Sequence, residues 1–191
     1  MADLKEELHR QLRVARAITM SKLRGLSEHD MRRPMTPTGT NLLGLVKHLA
    51  GLEYVYFGDS FDRPPPDKML WVEDGTIWDG ADMWATADET SEELIALYER
   101  AGAHGDETID ALDLDAPGSV PHWPDDRRAT TLGVLLIRMV TETAQHAGHA
   151  DIIRELIDGR AGNDANFATD IDWVGYVTRV QGAADSFSSD R

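Results

Sequence analysis

Thr141-Glu142-Thr143-Ala144-Gln145-His146-Ala147-Gly148-His149-Ala150-Asp151 lies inside the longest helical pattern of the chain. That pattern runs from about Thr131 to Asp158. Leu132, Leu135, Leu136, Met139, Val140, Thr143, Ala147, Ala150, Ile153 and Ile157 recur in it at the three- and four-residue spacings of a helix with one buried face. Gly159 follows the last periodic residue, where a left-handed C-terminal cap is expected. Successive helical residues are offset by roughly 100°. Glu142, His146 and His149 therefore share one narrow stripe at the edge of the apolar face. A carboxylate and an imidazole one turn apart can meet the same metal ion, as ligand pairs do in helix bundles. The competing reading is a surface pair or a hydrogen-bonded couple, and a third ligand elsewhere decides between the two.

A candidate third ligand lies upstream. Thr40 is a plausible N-cap for a helix running to about Gly58, with Leu42, Leu45, Leu49, Leu52 and Tyr56 on its apolar face. His48 sits at the edge of that face, the same place that Glu142 and His146 occupy on the later helix. If the two helices pack together, two imidazoles and a carboxylate meet. Three N/O ligands with open positions suit a catalytic divalent metal better than a closed structural site.

Two further helices complete the set. The first covers about Asp3 to Leu26, with Leu4, Leu8, Leu12, Ala15 and Ile18 as its stripe and His9 outside it, in solvent. The other opens on a capping-box pattern, Thr90 with Glu93, and runs to about Leu112; its His104, flanked by Gly102 and Gly105, reads as exposed. A short helix from Asp172 to Val180 and a frayed, flexible tail from Ala183 to Arg191 end the chain, after a turn over Arg160–Asp164. The segments between are irregular. Pro34 and Pro37 break the first, and Pro117, Pro121 and Pro124 the last, whose His122-Trp123 pair is placed to overhang the site. The middle one, from Asp62 onward, interleaves Trp71, Trp78 and Trp84 with acids. Its aromatics either seal the bundle's end or form a lid or dimer contact. No run of alternating residues is long enough for a sheet.

Composition narrows the function. The chain has 191 residues, a formal net charge of −15 and no cysteine. The charge disfavours nucleic acid and anionic membranes as partners. The missing cysteine removes disulfides, thiolate metal sites and a cysteine nucleophile. No stretch approaches the roughly 20 apolar residues of a membrane span, and Met1–Glu7 lacks the apolar core of a signal peptide. A cytoplasmic protein is the expectation, with one helical domain over residues 1–182.

The segments Asn41–Leu49 and Glu142–Glu155, with Pro121-His122-Trp123-Pro124 and Leu156-Ile157-Asp158-Gly159, together resemble the DinB-like superfamily, and within it the branch labelled "mini-circle protein". The resemblance implies an all-α, up-down-down-up four-helix bundle, a homodimer, and a divalent metal, zinc or nickel, held by a second-helix histidine and two fourth-helix residues. Carried over, these are His48, Glu142 and His146. Glu142 stands where relatives usually have histidine. His149 falls where they often carry Gln, so it either supports a ligand from behind or is itself a ligand displacing Glu142. Arg138, one turn before Glu142, either shapes a substrate pocket or neutralises Glu142. The resemblance also implies a transferase or isomerase that uses a low-molecular-weight thiol such as mycothiol on a small electrophile. The alternative is a non-catalytic scaffold stabilised by its metal.

Overall fold

The computed structural model describes residues 3–162 and 171–188. The chain forms two compact units, Met1–Ala161 and Gly162–Arg191. In the first, α1 (Leu4–Ser21) is capped by Asp3 and followed by the short α2 (Glu28–Arg32). α3 (Leu42–Glu53) continues through a π-helical turn, Tyr54–Gly58, and a 3-10 turn, Asp59–Phe61. After the single-turn α4 (Leu70–Glu73) come α5 (Ser91–Ala111), a two-stranded antiparallel ribbon of β1 (Pro117–Ser119) and β2 (Ala129–Thr131), and α6 (Leu132–Asp158). The second unit contains α7 (Trp173–Asp185), capped by Asp172 and longer than the sequence suggests. The expected turn over Arg160–Asp164 lies partly, and the end of the expected tail wholly, outside the described residues. Among the described residues no helix is long and apolar enough to cross a membrane.

Helices α1, α3, α5 and α6 make the bundle, and side-chain contacts fix their directions. Lys22 beyond the end of α1 pairs with Asp151 of α6, and Arg154 donates to the Lys22 and Arg24 carbonyls at 2.8 Å. Like ends meet, so α1 and α6 are parallel. Lys47 of α3 reaches Glu89 just ahead of α5 at 2.9 Å, and farther along both helices the Tyr54 and His104 rings lie 5.7 Å apart. These two are parallel as well. Between α3 and α6, His48 meets His146 while Tyr56 meets Arg138, so the order reverses. The result is the up-down-down-up bundle that the resemblance implies.

Parallel neighbours cannot be joined by a short turn. Residues 62–90 therefore run back along the bundle as a crossover. Asp67 accepts from Tyr54 and Arg100, Trp71 lies buried beneath the Lys47 ammonium at 4.3 Å, and Asn41 donates to the Met83 carbonyl at 3.1 Å. Gly44 permits the last approach, because a Cβ there would fall 1.8 Å from Met83 O. Trp71 alone of the three tryptophans seals the core; Trp78 and Trp84 are exposed.

An ionic knot sits inside the bundle. Arg16 of α1 grips both oxygens of the fully buried Glu53 at 2.6 and 2.7 Å and donates to Asp106 of α5 at 2.5 Å. His9 completes it at 2.7 Å from Asp106. His9 is therefore buried, not solvated as its place off the leucine stripe suggests; carboxylates of α5 supply a polar partner that apolar spacing cannot register. Leu4 is exposed instead. His104 is likewise half-buried, on the Arg63 carbonyl at 2.9 Å. Burial pushes the Glu53 carboxyl up against the opposing pull of Arg16. Burial alone would lower Arg16, but the two carboxylates raise it.

Capping follows the sequence at two places. Thr90 and Glu93 form a reciprocal capping box, and Gly159 adopts φ 76° beyond α6. Asn41, not Thr40, caps α3, accepting from Gly44 N at 2.8 Å; asparagine is the stronger cap.

Candidate metal centre

From Asn41 to Gly51 every residue is buried except His48. Beyond it Leu52, Val55 and Asp59 continue as the half-exposed positions, one stripe along α3. His48 begins this half-exposed stripe where α3 packs against α6. The His48 and His146 rings stand edge to face, 5.1 Å between centroids. Their Nε2 atoms lie 3.8 and 3.3 Å from Glu142 Oε1. His48, Glu142 and His146 each offer one ligand atom within 4.8 Å of the others, a group that could hold a metal ion.

The ring nitrogens facing away have partners. His48 Nδ1 lies 2.6 Å from Asp82 Oδ2. A carboxylate accepts, so Nδ1 carries the proton and Nε2 presents its lone pair on the side of Glu142 and His146. His146 Nδ1 is 3.3 Å from His149 Nδ1. His149 thus sits behind His146, exposed, rather than in the converging set. Burial and the neighbouring His48 hold His146 below the usual imidazole range, against the pull of Glu142, which favours the neutral, metal-binding form. Two neutral imidazoles and a carboxylate, with the first imidazole oriented by a second carboxylate, fit a divalent ion such as zinc.

Asp82 is the residue sequence reasoning missed. It lies in a 3-10 turn, Ala81–Met83, of the crossover, where no periodicity points to His48. Asp82→Asn is expected to weaken zinc binding about 10–100-fold with the fold intact. Competition with a chromophoric chelator measures it, and an unchanged zinc affinity would remove Asp82 from the site.

Arg138 does not pair with Glu142. Its guanidinium lies over the Tyr56 and Trp123 rings, 5.2 and 5.3 Å from their centroids. His122 adjoins Tyr56 at 6.0 Å and Trp78 at 6.3 Å. The loop between β1 and β2 delivers His122-Trp123 to Tyr56 and Arg138, and the crossover delivers Trp78 to His122. Burial, then the Arg138 charge, lower the His122 pKa.

Comparison with known proteins agrees with this architecture. A family model described as mycothiol-S-transferase matches residues 7–159. Among solved structures, a conserved protein from Enterococcus faecalis superposes with a TM-score of 0.62 at 14% identity, covering 84% of this chain and 100% of that one. At that identity the likeness concerns the fold alone. Comparison with curated proteins gives no match.

Proposed function

The chain belongs to the mycothiol-S-transferase family, and from that premise we propose that it is a divalent-metal-dependent transferase joining mycothiol to a small electrophile. The observation that carries the reading is the convergence of His48, Glu142 and His146, in a chain without cysteine. The reacting thiol must then come from a cosubstrate. His48, Glu142 and His146 would hold the ion, zinc or nickel, and Asp82 would fix the orientation of His48. A divalent ion held there supplies the Lewis acidity that brings a thiol's pKa toward neutrality. The sulfur attacks the electrophilic carbon, an S–C bond forms, the leaving group departs with its electron pair, and the thiol proton passes to solvent. The half-exposed Leu52 and Val55 beside His48, with Trp123 and Trp78 farther along, supply the apolar surface for the electrophile. The proposal extends to a homodimer, which the family resemblance implies.

The test is mycothiol consumption with monobromobimane as the electrophile. The zinc-loaded protein is expected to accelerate it over background, and chelation to return the rate to background. A protein that zinc stabilises against heat, yet that leaves the conjugation rate unchanged with bromobimane and a panel of other electrophiles, is a metal-stabilised scaffold instead.

A further inference from the structure

Arg138 is an exposed cation without an acidic partner among the described residues, in a chain with 34 acidic and 19 basic residues. Most of its arginines find a carboxylate: Arg16, Arg32, Arg100 and Arg154 all do, at hydrogen-bond distance. Arg138 instead is held over two aromatic rings, Tyr56 and Trp123. The rings fix the stem and plane of the guanidinium and leave its N–H donors unspent. Four helical residues separate Arg138 from Glu142, about 6 Å along the axis. Arg138 and Glu142 therefore share one face of α6, and a molecule seated at the metal candidates has this guanidinium one turn away.

We propose that the face of α6 bearing Arg138, Glu142 and His146 binds a substrate carrying a carboxylate, with Arg138 as its anchor. Mycothiol is a thiol amide of an amino sugar and carries no acid group. Under the transferase reading, on which this part rests, the carboxylate belongs to the electrophile, and the substrates are small organic acids with an electrophilic carbon about one helical turn from the acid. The guanidinium fork matches a carboxylate with two parallel hydrogen bonds. It also explains how an acidic protein accepts an anion: the net charge repels it at long range, and one positioned cation with aromatic walls must offset this locally.

The probe is benzoate against benzamide, equal in shape and different in charge, followed by ligand-observed NMR on the zinc-loaded and the chelator-treated protein. Benzoate is expected to bind saturably in both forms and benzamide at least tenfold more weakly. Arg138→Gln should weaken benzoate about 10–100-fold and leave benzamide unchanged, and Arg138→Lys should restore it partly. Equal binding of the two probes, no saturable benzoate binding, or benzoate binding that survives Arg138→Gln overturns the proposal. So does binding that disappears with zinc alone, which would put the acid on the metal. Binding is read without turnover: loss of bromobimane conjugation with Arg138-dependent benzoate binding would sink the transferase reading and keep the acid anchor, and the reverse result would do the opposite.

Discussion

Arg16→Ala is expected to destabilise the fold by about 3–5 kcal/mol at pH 7. Among the described residues Arg16 is the only arginine or lysine paired with the Glu53 side chain, which is 0% exposed, and it occupies both carboxylate oxygens. Its removal leaves a charge in the bundle interior facing Asp106 across α5. Gly105, whose Cβ would come within 2.8 Å of Glu53 Oε2, keeps α5 too close for water to enter easily. The pH dependence identifies the cause. Burial already raises Glu53, and without Arg16 it rises further. A carboxyl whose folded pKa exceeds its unfolded value stabilises below the unfolded pKa and loses that stability as pH rises through the folded one. The deficit of the variant, read from urea unfolding, should therefore shrink from pH 7 toward pH 5. An equal deficit at both pH values would mean lost packing, not a stranded charge. Arg16→Met with Glu53→Leu should recover much of the loss, since a buried pair replaced by apolar groups is often close to neutral.

His48→Ala is expected to weaken zinc more than about 100-fold, beyond what loss of an outer partner costs, and to reduce metal-dependent conjugation to background. At free zinc 100 times the wild-type Kd, binding stabilises the native protein by about 2.7 kcal/mol. With 100-fold weaker affinity the same zinc contributes only about 0.4 kcal/mol. Thermal melts with and without zinc then separate the two proteins, while circular dichroism stays the same, because the half-exposed imidazole fills no core position. A variant that keeps stoichiometric zinc would mean that His48 is no ligand, and the site reading would fall with it.

The four long helices are legible in the sequence because burying one face imposes a period. The period of Leu132–Ile157, the Thr90–Glu93 box and Gly159 all survive in the structure. The candidate ligands are legible for the same reason, as polar residues at the edge of an apolar stripe on two helices. What escapes are pairings across the chain. Arg16 finds Glu53 at a separation of 37 residues and Asp106 at 90, and nothing in local spacing selects those partners. Asp82 escapes because the crossover has no period; only the parallel course of α3 and α5 lays it on His48. The division of labour among the tryptophans follows the same rule. Trp71 goes under Lys47 and Trp78 stays outside because of where the crossover passes, not because of their neighbours in sequence. The ribbon of β1 and β2, three residues a side, is too short for alternation to reveal.

The parallel pairing of α1 with α6 bears on the chain's birth at the ribosome. The carbonyls of Lys22 and Arg24 wait for Arg154, 132 and 130 residues later. At roughly 5–20 residues per second, α1 spends on the order of ten seconds with Leu12 and Ala15 uncovered before its partner emerges. α3 and α5 can dock earlier, so the nascent protein passes through a half-built stage with α1 as an unattended amphipathic helix. No ion can rescue that stage, since Glu142 and His146 arrive on the same late helix that covers α1. Any metal bound by these residues would thus be captured only as α6 docks and completes the bundle, and a chain stalled before α6 is left to chaperones or proteases.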